Sequence, residues 1–107
     1  MTKVIRFTAE WCGPCKAYAP VFNNVAATTP GIVFETIDID AHREVAAQYG
    51  VRSVPTTIIE KGGRTIFQKS GIMGETEYAR QLQVIKNFLI LIHASGTYAF
   101  NSILVQQ

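Results

Sequence analysis

The only two cysteines of the chain, Cys12 and Cys15, are separated by Gly13 and Pro14. Two thiols at this spacing can form and reopen a disulfide, which is a two-electron redox reaction. An apolar segment at residues 3–8 precedes the pair and apolar residues at helical spacing follow it, so we expect the pair where a strand passes into a helix. Because Pro14 is tolerated in a first helical turn, where unpaired N–H groups favour a thiolate, the pattern predicts Cys12 as nucleophile and Cys15 as resolving thiol.

Two other uses of a Cys-x-x-Cys pair are weaker. A zinc site would need a second pair of ligands, and the two histidines, His42 and His93, stand singly and far apart in the sequence. A purely structural disulfide with so short a loop would constrain little of the unfolded chain. The residues therefore favour redox chemistry with no metal and no bound cofactor.

The rest of the sequence predicts the elements that position this pair. The first strand at residues 3–8 and the helix after the cysteines are followed by a strand near residues 32–39. A short helix at residues 41–49 with Asp40 as its cap, strands at 56–60 and 64–69 around Gly62-Gly63, and a helix at 75–87 complete the order. This βαβαββα order predicts an α/β fold, in which a mixed sheet of about four strands is flanked by helices.

Size and charge limit the class of protein. A chain of 107 residues with 48% apolar composition predicts one compact domain. The net charge of +2 is spread along the sequence, so we expect no nucleic-acid partner. The first residues lack the apolar stretch of a signal peptide, so we expect the reducing environment of the cytoplasm, where a reactive dithiol belongs.

The segment around the cysteines extends to a longer motif. With Trp11 before the pair and Lys16 after it, the segment resembles the active site of the thioredoxin family. Further along, Val54-Pro55-Thr56 resembles the cis-proline turn of that family, Lys61-Gly62-Gly63 resembles its hairpin turn, and Gly71 stands where the family has a glycine beside the active site. The spacings agree from about residue 4 to residue 82, so the resemblance implies the thioredoxin-like fold over three quarters of the chain.

The resemblance also implies a function. It implies reduction of protein disulfides, with electrons from a partner of the thioredoxin-reductase type. It further implies a flat apolar substrate surface formed by Trp11, Gly13, Pro14, Val54, Pro55, Gly71 and Ile72. Two alternatives remain open: a glutaredoxin-like reductase that uses glutathione, against which Gly13-Pro14 argues, and a non-catalytic binding subunit with the same fold.

The first departure from the family is at the front of the chain. Only eleven residues precede Cys12, so we expect the usual first strand and helix to be missing. By resemblance, the strand at residues 32–38 then has a bare edge. Such an edge invites pairing with a second copy of the chain or with the tail.

The second departure is Arg6, which stands where thioredoxins usually have a buried carboxylate that helps to take the proton from the second cysteine. We expect Arg6 either to pair with Asp38 or to reach the surface with only its stem buried. In both cases the cation favours a thiolate. Arg6 and Lys16 are therefore predicted to tune the pKa of the thiols.

The tail is a separate feature of the sequence. We place a thioredoxin-like domain at residues 1–87 and an apolar extension at residues 88–107. Its polar residues, including His93 and Asn101, argue against a membrane anchor. A hairpin or a strand that covers the bare edge is favoured over a segment outside the fold.

Overall fold

The computed structural model describes residues 1–85. The predictions for the tail, and for a domain boundary after residue 87, lie outside the described residues. Residues Met1–Glu75 form one compact unit, and a second unit begins at Thr76. All the residues expected to carry chemistry belong to the first unit.

Six elements make up this unit, in the predicted order. They are β1 (Thr2–Thr8), α1 (Gly13–Thr28), β2 (Val33–Asp38), α2 (Arg43–Gln48), β3 (Thr56–Lys61) and β4 (Arg64–Ser70). The strands are rich in Val, Ile, Phe and Thr, whose branched or aromatic side chains suit a pleated surface. Residues 75–85 are helical, in agreement with the helix expected to begin at residue 75.

The described strands form one mixed sheet in the order β2-β1-β3-β4. β1 runs parallel to β2, whereas β1 pairs antiparallel with β3 and β3 pairs antiparallel with β4. The turn between β3 and β4 places Gly62 and Gly63 at φ angles of 57° and 81°, which glycine adopts without strain. The predicted α/β fold is confirmed, and β2 lies at one edge of the described sheet.

The two faces of the sheet differ in polarity. One face carries an apolar cluster, whose buried members are Ile5, Phe7, Ile37, Ala46 and Ile58. Because side chains alternate along a strand, Arg6 lies on the opposite face, which α1 covers with Tyr18 and Phe22. There the Tyr18 hydroxyl lies 2.6 Å from Oγ1 of Thr57, so a buried polar contact interrupts the apolar packing.

The start of α2 differs from the prediction. Asp40 does not cap this helix, because α2 begins at Arg43 with His42 as its N-cap residue. Instead, Oδ1 of Asp38 accepts hydrogen bonds from the backbone N–H groups of Asp40 (2.8 Å) and Ala41 (3.2 Å). An aspartate that ends a strand can satisfy the next N–H groups in this way, and the resulting turn delays the helix.

Candidate active site

Cys12 lies at the beginning of α1, as the spacing predicts. It is the N-cap residue of the helix, with extended backbone angles, and Pro14 occupies the first turn. The backbone N–H of Cys15 donates a hydrogen bond to Sγ of Cys12 at 3.1 Å. This donor and the positive end of the helix dipole both favour negative charge on the Cys12 sulfur.

The two cysteines are joined by a disulfide, and their Cα atoms lie 5.3 Å apart. Cys12 exposes 4% of its surface to solvent and Cys15 exposes only 1%. The pair forms a small buried cluster with Ala9, against which Ile39 and Val54 pack. Both cysteines are therefore buried, and Cys15 is slightly less exposed than Cys12.

The Val54-Pro55 turn, which the resemblance assigns to the substrate surface, lies beside the disulfide. Val54 packs against the cysteine cluster, Pro55 is buried, and the peptide bond between them is cis. The carbonyl oxygen of Pro55 accepts a hydrogen bond from the backbone N–H of Gly71 at 2.8 Å. This bond holds the loop that contains Gly71 and Ile72 next to the turn.

The other residues of this predicted surface are open to solvent. Trp11 exposes 68% of its surface, and Gly13, Pro14 and Ile72 are also exposed. Three of these residues flank Cys12 along the chain: Trp11, Gly13 and Pro14. Val54 contacts the cysteine cluster directly, whereas Gly71 is linked to it through its hydrogen bond to Pro55. Exposed residues therefore flank Cys12 along the chain, and Val54 packs against the cysteine cluster.

Asp40 is a site residue that sequence reasoning missed. Its Oδ2 accepts a hydrogen bond from the indole Nε1–H of Trp11 at 2.8 Å. Both residues also line a cavity of about 620 Å³. The strand order could have indicated this contact. Trp11 follows β1 and Asp40 follows β2, and the carboxyl ends of two parallel strands meet at one edge of a sheet.

The structure gives Arg6 a neighbour that the sequence analysis did not name. Its Nε and Nη2 atoms donate to Oγ1 of Thr36 at 3.3 Å and 3.1 Å, and its guanidinium carbon lies 5.1 Å from the centre of the Phe22 ring. Thr36 is the direct partner of Arg6 in the register of β1 and β2. Arg6 is half-buried, so its stem packs while its head stays near the sheet edge.

A second cavity, of about 200 Å³, adjoins Cys15. Its lining combines charged, polar and apolar side chains: Arg6, Thr8, Ala9, Glu10, Cys15, Lys16, Ala19 and Asp38. Arg6 and Asp38, which the sequence analysis considered as a pair, therefore face the same cavity. Within residues 1–85, no group of three or more potential ligands is placed to hold a metal ion.

The thioredoxin family model matches residues 1–87. The chain belongs to the thioredoxin family. It is 48% identical over 60 residues to an H-type thioredoxin of Oryza sativa, a match that covers 56% of this chain and 49% of that one. It is 42% identical over 69 residues to the thioredoxin of Chlamydia muridarum, covering 64% of this chain and 68% of that protein.

Solved structures show the same likeness. The thioredoxin of Fasciola hepatica superposes with a TM-score of 0.72 at 34% identity, covering 77% of this chain and 78% of that chain. A mutant thioredoxin of Halobacterium salinarum gives a TM-score of 0.73 at 30% identity, covering 78% and 73%. The chain spans only about half the length of some relatives. It covers 54% of the Streptomyces coelicolor relative and 49% of the H-type thioredoxin of Oryza sativa.

Proposed function

We propose that the protein is a thiol-disulfide oxidoreductase that reduces disulfides in other proteins. The observation that carries this proposal is the Cys12–Cys15 disulfide at the beginning of α1, with the Cys15 N–H directed at the Cys12 sulfur. The match of residues 1–87 to the thioredoxin family supports it.

The reaction requires only the two sulfurs of this chain. The Cys12 thiolate attacks one sulfur of the substrate disulfide, and the other substrate sulfur leaves as a thiolate. The Cys15 thiolate then attacks Sγ of Cys12, which releases the second substrate thiolate. Two electrons pass to the substrate and the Cys12–Cys15 disulfide is formed, so we propose no bound cofactor and no metal.

The substrate-binding surface is the second part of the proposal. Some of its residues flank Cys12 along the chain and Val54 packs against the cysteine cluster, so the backbone at Val54 is placed to pair with a substrate chain as a strand does. The exposure of Trp11 and Ile72 and the packing of Val54 on the cysteine cluster support this assignment. The proposed surface consists of Trp11, Gly13, Pro14, Val54, Pro55, Gly71 and Ile72.

We propose that Arg6 and Lys16 tune the ionisation of the thiols. Both face the cavity that Cys15 also lines. A cation near a thiol favours the thiolate, since the charged form gains an attraction that the neutral form lacks. The positive charge of Arg6 would then favour the thiolate, whereas the negative charge of the carboxylate usual at this position in the family opposes it.

The electron donor is proposed to be a reductase of the thioredoxin-reductase type, and the place of action the cytoplasm. A dithiol works as a reductant only where its disulfide is reduced again after each cycle. The reductase and the reducing environment of the cytoplasm are therefore proposed together. Nucleic acid is not among the proposed partners, since the net charge of +2 is small and dispersed. The part of the chain that the structure describes contains no helix long and apolar enough to cross a membrane.

An insulin-reduction assay on the full chain tests the function and the donor together. One reaction supplies NADPH and a thioredoxin reductase, and the other supplies NADPH, glutathione and glutathione reductase. We expect turnover with the first system and little with the second. The Cys12→Ser/Cys15→Ser double variant is the control, and equal precipitation of insulin with the double variant would contradict catalysis by this pair.

The same assay separates the alternatives. Turnover that depends on glutathione would favour the glutaredoxin-like function. If neither donor supports turnover above the level of the double variant, the protein is better described as a binding subunit with a thioredoxin fold.

A further partner is proposed at the edge of the sheet. β2 is one of the two outer strands of the described sheet and exposes Val33, so a second copy could pair there or through the tail. Val33→Lys should lower the dimer fraction measured by analytical ultracentrifugation, because a lysine on an edge strand opposes pairing. Ile66→Lys on β4 is the matched control, and a monomer at every concentration would contradict the proposal.

A further inference from the structure

Cys15 must lose a proton before it can attack the mixed disulfide, and its surroundings restrict where that proton goes. Only 1% of its surface is exposed. The cavity of about 200 Å³ that adjoins it is large enough to hold several water molecules. Water in this cavity therefore offers a path from the sulfur to other groups.

Two of the groups that line this cavity are carboxylates, Asp38 and Glu10, which can accept a proton. The cations of Arg6 and Lys16 favour the Cys15 thiolate by attraction, but they carry no lone pair for its proton. The choice of acceptor therefore lies between the two carboxylates.

The structure orients Asp38 more firmly than Glu10. Asp38 is half-buried at the end of β2, and its Oδ1 accepts the backbone N–H groups of Asp40 and Ala41. Both bonds end on Oδ1, so the second oxygen, Oδ2, is the one suited to take a proton. Glu10 is an exposed residue of the turn before Cys12. A proton acceptor held in place is more effective than a mobile one.

We infer that Asp38 accepts the proton of Cys15, through water in the cavity, during the resolving step of the proposed reduction. The Cys15 S–H bond breaks and its proton passes to the carboxylate of Asp38. The Cys15 thiolate then forms the bond to Sγ of Cys12, while the bond between that sulfur and the substrate breaks. Asp38 afterwards returns the proton to solvent. This inference rests on the proposed function.

A proton acceptor can be distinguished from a nearby charge. Asp38→Asn removes a negative charge near Cys15, and by attraction alone this change makes the thiolate easier to form. Electrostatics by itself therefore predicts faster resolution in the variant. Loss of a proton acceptor predicts slower resolution. Four charged residues share a cavity with Asp38, and the substitution leaves all of them in place: Arg6, Glu10, Lys16 and Asp40.

The substitution is also conservative for the fold. An asparagine retains an oxygen that can accept the N–H groups of Asp40 and Ala41, so the turn after β2 is kept. Glu10→Gln is the matched control, because it removes the other carboxylate of the same cavity. Circular dichroism and melting temperature verify that both variants fold as the native protein does.

The experiment uses the reduced full chain in stopped-flow mixing with a disulfide of two self-quenched fluorescent glutathiones. The rise in fluorescence when the two halves separate reports the attack by Cys12, and the fall in fluorescence anisotropy when the second half leaves the protein reports resolution by Cys15. Rates are measured from about pH 5 to about pH 10, a range that spans ordinary thiol ionisation. In the Cys12→Ser background, thiolate absorbance gives the ionisation midpoint of Cys15 with Asp38 or Asn at position 38.

We expect Asp38→Asn to slow the second release at neutral pH by about tenfold or more, with the first release unchanged. The difference should vanish at high pH, where solvent deprotonates Cys15, and the ionisation midpoint should fall or stay constant. Resolution as fast as in the native protein, a raised midpoint, or equal slowing by Glu10→Gln would overturn the inference. Absence of any release by the native protein would instead contradict the proposed function.

Discussion

The surroundings of Cys12 and Cys15 differ although the residues are one helical turn apart. Cys12 borders exposed apolar groups, among them Trp11 and Pro14. Cys15 borders a cavity lined by Arg6, Lys16 and two carboxylates. The first environment suits contact with a large substrate, and the second suits control of a proton. In the proposed mechanism, one turn of helix separates recognition from proton transfer.

The local structure of α1 produces this division. Cys12 is the N-cap residue of α1, and its sulfur receives a hydrogen bond from the backbone N–H of Cys15. Cys15 lies one turn further along, where its side chain is directed into the protein and is almost fully buried. Exchange of the two roles would require the less exposed of the two cysteines to contact a substrate protein.

The largest expected effect concerns the apolar surface. Trp11→Ala should reduce kcat/KM for insulin by about tenfold, because an exposed aromatic ring beside the proposed nucleophile supplies contact area for a protein substrate. The melting temperature should change little, since the ring is mostly exposed. Ile66→Ala, an exposed apolar side chain on β4, is the control. Equal loss of activity toward a small-molecule disulfide would contradict a recognition role for Trp11.

The next effect concerns the charged cavity. Arg6→Met keeps an apolar stem against Phe22 and removes the charge, whereas Arg6→Asp reverses it. We expect the pKa of Cys15 to rise from native to Met to Asp. Resolution at neutral pH should slow several-fold in the Met variant, which loses the cation and gains no carboxylate to accept the proton. Thiolate absorbance and stopped-flow kinetics measure these changes. If neither thiol shifts in either variant, Arg6 does not act on the pair.

A smaller effect is expected from Asp40, which supports the apolar surface indirectly. Asp40→Ala removes the acceptor of the Trp11 indole N–H but leaves the ring in place. A loss of about threefold in kcat/KM for insulin is expected, the usual scale for one exposed hydrogen bond. Asp40→Asn, which keeps an acceptor oxygen, should lose less. A loss as large as that of Trp11→Ala would mean that Asp40 itself contacts the substrate.

The smallest effect on redox activity is expected from Tyr49 and Glu60, which lie outside the surroundings of both cysteines. The Tyr49 hydroxyl donates to Glu60 at 2.7 Å, and this bond, with burial and the Glu60 charge, raises the pKa of Tyr49 from 10.0 to about 12. Because the folded state binds this proton more tightly than the unfolded state, the stability that it supplies is complete below pH 10 and is lost between about pH 10 and 12.

Glu60→Gln should bring the pKa of Tyr49 back toward its ordinary value and flatten this alkaline decline in the free energy of unfolding. Denaturant titrations of both proteins across that range measure the difference. The insulin-reduction rate at neutral pH should not change. A change in that rate would show that the two environments around the sulfurs are not as local as the comparison requires.

Sequence patterns predicted the helix start at Cys12, the mixed sheet and the glycine turn, because each depends on local preferences or on strand order. They did not predict the contact of Trp11 with Asp40, nor the turn made by Asp38. Asp38 is the last residue of β2 and bonds to the N–H groups of Asp40 and Ala41, while Asp40 bonds to the Trp11 indole. The contact with Trp11 depends on the pairing of β1 with β2, which is a property of the folded sheet rather than of either strand.

Capture of a substrate by single-cysteine variants tests the division of labour most directly. Reduced Cys15→Ser and Cys12→Ser proteins are mixed with a disulfide-bonded substrate, and the products are identified by intact mass under non-reducing conditions. The account predicts a stable mixed disulfide through Cys12 in the Cys15→Ser protein and none in the Cys12→Ser protein. Capture by the Cys12→Ser protein at a comparable rate would contradict it.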